Sequence, residues 1–143
     1  MKNSESVQSK IDHLNKYIGY LRTLQKNTFE DFISNMMIHG SVERYLHLCI
    51  EVTIDLGNHI IAKNNLGSVE WNRDVADIFC THGYINSITK DKWVKMIQFR
   101  NLLVHEYAVI DKKEVYNILQ NHLNDILEIE KMFADEFLVK DDG

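Results

Sequence analysis

The chain contains no proline in 143 residues. Proline lacks an N–H group and its ring clashes with the preceding turn of a helix, so it ends or kinks helices. A chain of single-domain length without this breaker favours an all-helical fold. A chain of this size can bury roughly two-thirds of its unfolded surface, enough for a core without covalent staples. We therefore predict one all-α domain over residues 1–143.

Apolar residues recur at three- and four-residue steps in several segments, which is the period of an α-helix. The clearest case is residues 41–63, where the apolar side chains fall within about 120° of one another on a helical wheel. Similar patterns cover residues 7–24, residues 90–105 and the segment after Asp111. These patterns predict a single helical bundle of four long helices and one or two short ones.

Capping residues predict where the helices begin. The expected starts are a short helix opened by Thr28 with Asp31, a second short helix from Ser68 that stops at Gly83, a long helix capped by Thr89, and one last continuous helix opened by Asp111 with Glu114.

Charge and cysteine content narrow the function. The net charge is −5, which argues against a protein that coats nucleic acid generally. Cys49 and Cys80 form no metal-binding or disulfide pattern, and we expect both to be small core residues. Asp55 and His59 are four residues apart but lack a third ligand, so we expect no metal and no cofactor. We interpret Trp71 and Trp93 as core anchors.

No run of apolar residues in the sequence is long enough to span a bilayer, and the N-terminal MKNSESVQSK has no signal-peptide pattern. These observations predict a cytoplasmic protein.

The stretch FRNLLVHEYAVID, residues 99–111, places a permanent cation in an apolar stripe. On a helical wheel Arg100 falls in the middle of this stripe, which comprises Trp93, Met96, Ile97, Leu103, Val104 and Tyr107. A guanidinium buried without a partner is very unfavourable. Arg100 must therefore face a carboxylate such as Glu51 or Asp55, a symmetric copy of the chain, or a cleft that takes an anion.

His105 lies about 140° round the helix from Arg100 and on the same side as Asn101. Asn101 is therefore placed to hold the imidazole by a hydrogen bond. Convergence of Arg100 and His105 needs a helix that ends near His105, or a second subunit that brings its own pair alongside. The second case predicts a homodimer with a composite cleft.

These residue types suit the cleavage of RNA by its own 2′-OH group. Histidine moves protons near neutral pH, and the bidentate fork of arginine stabilises a pentavalent phosphorane. Structural roles stay open at this point: Arg100 as an ion-pair partner of Glu51 or Asp55, His105 as a residue favoured by the helix dipole, and Tyr107 as a core residue.

The motif Arg100-Asn101-Leu-Leu-Val-His105-Glu-Tyr107 resembles the R-x4-6-H signature of the HEPN superfamily, in the narrower R-N-x-x-x-H-x-Y form of the HepT-like toxins. Two further segments are similar to that family. VERYLHLCIEVTIDLGNHIIA, residues 42–62, resembles its long third helix, and VIDKKEVYNIL after the motif resembles the entry to its last helix.

The resemblance implies a homodimeric all-α bundle whose two motifs face each other in a cleft. It implies a metal-independent endoribonuclease toxin with Arg100 and His105 as catalytic residues and Asn101 in support. The implied partner is a minimal nucleotidyltransferase antitoxin of the MntA type, which adds AMP units to the motif tyrosine, here Tyr107. AMP on Tyr107 would put negative charge beside the guanidinium and block RNA.

An acidic chain is an unusual partner for RNA, which is a polyanion. The positive charges expected around the motif are Lys90, Lys92, Lys95, Arg100, Lys112 and Lys113. A modest positive rim of this kind predicts weak, transient binding of RNA.

Two other functions compete with the ribonuclease. One is a non-catalytic helical module whose cleft binds a nucleotide or a partner protein. The other is a bundle in which Arg100 serves only as an ion pair at a dimer interface.

Overall fold

The computed structural model describes residues 2–105 and 109–138. Within these ranges the chain forms seven α-helices: α1 Lys2–Leu24, α2 Phe29–Ser34, α3 Met36–Asn64, α4 Asp74–Thr81, α5 Ser87–Val104, α6 Lys112–Asn121 and α7 Leu123–Phe137. The described ranges contain no strand. The predicted all-α bundle is confirmed, with four long helices (α1, α3, α5 and α7) and three short ones instead of one or two.

Helix α3 is the centre of the bundle. It is 29 residues long and packs against each of the other six helices. Its buried positions lie on most of its circumference, as the broad apolar stripe predicted: Val42, Leu46, Cys49, Ile50, Thr53, Ile54, Leu56, Gly57, Ile60 and Ile61. A helix that is apolar on so many sides is stable only when neighbours cover it on those sides.

The two cysteines are free thiols, with Cys49 buried and Cys80 half-buried. Burial raises the pKa of the Cys49 thiol to about 12. Because the thiolate is the reactive form of cysteine, Cys49 is chemically inert at neutral pH.

A hydrogen-bonded tryptophan ties α5 to α3. The Trp93 ring is fully buried, and its Nε1–H group donates to Oγ1 of Thr53 over 3.0 Å. The Thr53 hydroxyl in turn donates to the carbonyl of Ile50 over 2.7 Å. The Trp93 N–H group and the Thr53 hydroxyl therefore both have hydrogen-bond partners, which offsets the cost of burying them. The prediction that Trp93 anchors the core is confirmed.

Trp71 is not a core anchor, and the prediction for it was wrong. Its side chain is 67% exposed. It lies before α4, which begins at Asp74 and not at Ser68 as expected. One carboxylate oxygen of Asp74 accepts the backbone N–H groups of Glu70 and Trp71, over 3.1 and 2.9 Å. These bonds hold the segment before α4 as a turn, so its side chains do not follow a helical pattern.

The other predicted starts were partly right. Thr28 caps α2 by accepting the N–H of Asp31, and Asp111 caps α6 by accepting the N–H of Lys113. Helix α5, however, is capped by Asn86 and not by Thr89. The Asn86 side chain accepts the N–H of Thr89, whose hydroxyl donates to Glu128 of α7 over 2.5 Å. Both Asn and Thr are good caps, so local sequence alone does not decide between them.

The last helix is broken, where one continuous helix was expected. His122 leaves the helical range with φ −123° and ψ 8° and separates α6 from α7. Its Nδ1 atom lies 2.9 Å from the carboxylate of Asp125, in the first turn of α7. A single non-helical residue barely disturbs the apolar repeat, so the periodicity did not reveal the break.

In the parts of the chain that the structure describes, no helix combines the length and apolar character that crossing a membrane requires.

Close packing of α4 on α3 depends on a glycine. A methyl group built on Gly57 would collide with Cγ1 of Val75, and Phe79 lies 3.4 Å from the same point. Val75 and Phe79 are fully buried in α4, so neither has room to move away. The missing side chain at Gly57 therefore allows α4 to approach α3.

We expect Gly57→Ala to destabilise the fold by about 1–3 kcal/mol, because overpacking outweighs the gain of roughly 1 kcal/mol that alanine brings to a helix. Gly19→Ala in α1 is the matched control, since nothing lies within 4 Å of its added methyl. It should keep or raise stability. Urea denaturation of both variants measures the difference, and equal effects at the two positions would contradict the packing argument.

Candidate active site

Arg100 lies on α5 and forms an ion pair with Glu51 of the neighbouring α3. Its Nε–H group donates to Oε2 of Glu51 over 2.6 Å, and Nη2 contacts the same oxygen. Of the two carboxylates proposed from the sequence, Glu51 is therefore the one that binds Arg100. The Arg100 side chain keeps 19% of its surface exposed and that of Glu51 keeps 33%. This partial burial strengthens the pair relative to a surface pair while leaving the guanidinium accessible.

Asn101 also contacts the guanidinium. Its Oδ1 atom accepts from Nη1 of Arg100 over 3.2 Å. The hydrogen bond expected between Asn101 and His105 stays a prediction. The amide supports Arg100 from the side opposite Nε. Glu51 and Asn101 together hold the guanidinium plane at three of its nitrogen atoms.

Asp55, the other carboxylate considered, makes no hydrogen bond or ion pair with Arg100 in the described part of the chain. It lies one turn after Glu51 on the exposed side of α3. Partial burial raises the pKa of the Asp55 carboxyl, and the negative charge of Glu51 raises it further, while the cations Lys10 and Arg100 act in the opposite direction. Asp55 therefore contributes to the field of the site and not to the positioning of Arg100.

His105 is the first residue after α5. Its backbone is extended, with φ −84° and ψ 117°, and its N–H group donates to the carbonyl of Leu102 over 3.3 Å. The ring is exposed. Convergence of Arg100 and His105 was expected to need either a helix that ends near His105 or a second subunit. The first condition is met, because α5 ends at Val104. Tyr107, the third residue of the motif, lies outside the described residues.

His47 is a member of the site that the sequence did not reveal. Its Nε2 atom lies 3.6 Å from the same Glu51 oxygen that binds Arg100. Burial lowers the pKa of His47, and the positive charges of Arg100 and Arg44 lower it further, whereas Glu51 acts to raise it. The imidazole is therefore neutral at neutral pH. His47 precedes Glu51 by four residues, a spacing that places both on one helix face, but only the fold shows that Arg100 meets them.

Three exposed apolar side chains belong to the last turn of α5 or follow it in the sequence. Leu102, Val104 and Val109 are 48%, 43% and 98% exposed. Val104 was expected in the buried stripe, and that expectation was wrong because the helix ends there and its last turn leaves the core. Phe99, which the stripe omitted, is buried instead. Large apolar side chains that stay exposed near the end of a helix are candidates for contact with another molecule.

The positive rim is smaller than the sequence suggested. Lys90 pairs with Asp77 and Asp91, and Lys92 pairs with Asp125 and Glu128. Among the described residues no ion pair involves the remaining three lysines, which are Lys95, Lys112 and Lys113. The accessible positive charge near the motif therefore comes mainly from these three lysines and Arg100. No cluster of three or more potential metal ligands occurs within residues 2–105 and 109–138.

Comparison with known proteins identifies the family. The family model described as Ribonuclease HepT-like matches residues 11–132. The chain therefore belongs to the ribonuclease HepT-like family, and the resemblance noted in the sequence is confirmed. It is 31% identical over 94 residues to a protein named mRNA nuclease HepT from Shewanella oneidensis, with 66% of this chain and 71% of that protein covered. It is 26% identical over 121 residues to a protein named tRNA nuclease HepT from Aphanizomenon flos-aquae, with 81% and 80% covered.

Solved structures agree with this assignment. A crystallised toxin–antitoxin complex with AMP-PNP contains a chain that superposes with a TM-score of 0.85 at 25% identity, covering 91% of this chain and 98% of that one. A second match is a tri-AMPylated HEPN toxin from Shewanella oneidensis in complex with MNT antitoxin, with a TM-score of 0.84 at 25% identity and coverage of 91% and 97%. The fold is therefore that of the HEPN toxins.

The lowered pKa of His47 predicts a defined dependence of stability on pH. The unfolded chain binds a proton at His47 near the ordinary value of 6.5, whereas the folded chain binds it only at lower pH. Between these two pKa values the unfolded state holds more protons, so folding stability decreases as pH falls below 6.5.

We therefore expect His47→Gln to lose less stability than the natural chain when the pH is lowered from about 7.5 to about 5.5, because the variant has no imidazole to protonate. Urea denaturation at both pH values gives the difference, and other titrating groups cancel between the two proteins. NMR titration of the ring gives a direct check. A His47 pKa above 6.5 would overturn the assignment.

Proposed function

We propose that this chain is an endoribonuclease toxin that acts as a homodimer and cleaves RNA with Arg100 and His105. The observation that carries the proposal is the position of Arg100. Glu51 and Asn101 hold its guanidinium, which stays partly exposed beside the point where α5 ends at His105. Membership of the ribonuclease HepT-like family supports the reaction type, and relatives named as nucleases support RNA as the substrate.

The reaction needs no redox partner and no metal ion in this scheme. The 2′-oxygen of a nucleotide attacks the adjacent phosphorus, the bond from phosphorus to the 5′-oxygen breaks, and the products are a 2′,3′-cyclic phosphate and a free 5′-hydroxyl. One proton leaves the 2′-OH and one joins the 5′-oxygen. Imidazoles suit both transfers, and a dimer supplies two of them, one from each copy of His105.

Arg100 stabilises the phosphorane that forms during this attack. Glu51 binds Nε–H and one N–H of Nη2, and Asn101 accepts one N–H of Nη1. Of the five N–H groups of the guanidinium, one on each Nη therefore remains for the phosphate oxygens. A cation held in place before the reaction stabilises charge without reorganising during it. Glu51 also limits the affinity for ground-state phosphate, because its negative charge repels the substrate. This fits the weak RNA binding expected of an acidic chain.

Homodimerisation is supported by the exposed apolar side chains at the end of α5. Val104 directly precedes His105 and Leu102 lies in the same last turn of α5, so burying these two side chains against a second copy would bring two motifs together. The same burial would remove apolar surface from water, at about 25 cal/mol per Å². In such a dimer each protomer would bring its own Arg100 and His105 to a shared cleft. This is the second way in which the two residue types could converge.

His105→Ala should reduce cleavage of RNA at least about a hundredfold, because general acid–base catalysis contributes that much. The assay is the appearance of 2′,3′-cyclic phosphate ends in purified cellular RNA incubated with the full chain. His13→Ala is the matched control, since His13 is exposed on α1. Both variants should keep the mass of the natural assembly and its unfolding midpoint. Undiminished cleavage by His105→Ala, or bound but uncut RNA with the natural chain, would refute the enzyme and favour a binding module.

We further propose that a minimal nucleotidyltransferase of the MntA type silences the chain by adding AMP to Tyr107. Support comes from the motif position of Tyr107 and from the tri-AMPylated relative crystallised with MNT antitoxin. Each added AMP carries a phosphodiester with one negative charge. Near Arg100 that charge would compete with the RNA phosphate.

Co-expression with an MNT-type transferase should add AMP to the chain, visible by mass spectrometry of the intact protein and mapped to Tyr107 in its peptides. Tyr107→Phe removes the acceptor oxygen, so this variant should stay unmodified and keep its ribonuclease activity in the presence of the transferase. An unmodified natural chain that is nonetheless silenced would show that neutralisation works by complex formation.

A further inference from the structure

An open groove of about 430 Å³ lies beside the active-site residues, between the turn before α4 and the side of α5. It is lined by Trp71, Asn72, Arg73, Ile97, Gln98 and Asn101. Asn101 belongs to both places, because its side chain lines the groove and accepts the hydrogen bond from Arg100. A molecule in the groove is therefore one side chain away from the guanidinium.

The chemistry of the lining suits a nucleotide. Trp71 offers an exposed aromatic face, on which an unpaired base can stack. Three side-chain amides (Asn72, Gln98 and Asn101) carry donors and acceptors that can reach the edges of a base. Arg73 is the single charged residue in the lining that the structure describes, and it is exposed. Its charge matches that of a phosphate.

Hydrogen bonds hold the backbone of the exposed tryptophan in a turn. Its N–H group donates to the Asp74 carboxylate over 2.9 Å, and its carbonyl accepts the N–H group of Asp74 over 2.9 Å. A large apolar ring exposed on a mobile loop would lose entropy on binding, whereas one on a fixed turn loses little. The Trp71 side chain remains 67% exposed, so most of its ring surface is open to a ligand.

We infer that this groove binds an unpaired nucleotide of single-stranded RNA next to the phosphodiester that is cleaved, with its base stacked on Trp71 and a phosphate at Arg73. The inference rests on the proposed ribonuclease function and adds the form of its substrate. Bases in a duplex are already stacked on their neighbours and cannot spread onto a protein ring. The site therefore selects a single-stranded loop or end and tolerates different bases.

The two tryptophans provide a direct readout. Trp93 is fully buried and Trp71 is exposed, so quenching of fluorescence by a stacked base reports on Trp71. The probe is a pool of random-sequence 2′-O-methyl oligoribonucleotides, about ten nucleotides long. These lack the attacking hydroxyl and stay intact. The same pool annealed to its complement is the duplex control.

The single-stranded pool should quench the emission of the natural chain, and the duplex should not. Trp71→Ala should weaken binding about tenfold and Trp71→Phe less, because phenylalanine keeps a stacking face. Ile88→Ala is the matched control, since Ile88 is 65% exposed at the first turn of α5, far from Asn101. Arg73→Gln should lower the slope of log Kd against log salt by about 0.7, the value of one phosphate contact on a single strand.

Three outcomes would overturn the inference: equal binding by Trp71→Ala and the natural chain, equal quenching by duplex, or a change in the mass of the assembly in Trp71→Ala, which would make the groove a contact between proteins. The cleavage assay separates this inference from the proposed function. If the natural chain cuts RNA and Trp71→Ala cuts and binds it equally well, the ribonuclease function is supported and nucleotide binding in the groove is refuted. If the single-stranded pool binds and quenches the emission of Trp71 but no RNA is cut, nucleotide binding in the groove is supported and the ribonuclease function is refuted.

Discussion

The burial of α3 on most of its circumference is the constraint on which the rest of this structure depends. A helix with so broad an apolar surface cannot sit at the edge of a bundle, so six other helices pack around it. This arrangement brings α5 against α3 and thereby joins Arg100 to Glu51, residues that are 49 positions apart in the chain. The geometry of the candidate active site therefore follows from the way the other helices cover α3.

The ion pair between Glu51 and Arg100 combines two properties that are seldom found together. It satisfies a cation that sits among apolar residues, and it leaves part of that cation in contact with solvent. A fully buried pair would be closed to a substrate, and a fully exposed pair would not hold one orientation. His47 lies against the same carboxylate and stays neutral at neutral pH, so it adds no second positive charge that would draw Glu51 away from Arg100.

Much of the fold could be predicted from the sequence because its signals are local. Periodicity gave the long helices, and Thr28 and Asp111 marked true starts. The sequence also limited the partner of Arg100 to Glu51, Asp55, a second copy or an anion. Only the packing of α5 on α3 shows that the partner of Arg100 is Glu51. The same packing shows that His47 lies beside this ion pair. The exposure of Trp71 was missed because it depends on a turn. In this turn the Asp74 carboxylate accepts the backbone N–H groups of Glu70 and Trp71, in a segment whose sequence pattern is also compatible with a helix. The break at His122 was missed because it leaves the apolar repeat almost in phase.

The absent side chain at Gly57 has a consequence well beyond the core. The turn that carries Trp71 leads directly into α4, and α4 rests on the bare backbone of α3 at Gly57. The position of α4 on α3 therefore helps to place this turn, which forms one side of the groove beside Asn101. If the groove binds a nucleotide as proposed, a substitution between α3 and α4 would change which nucleotides fit without touching any of them.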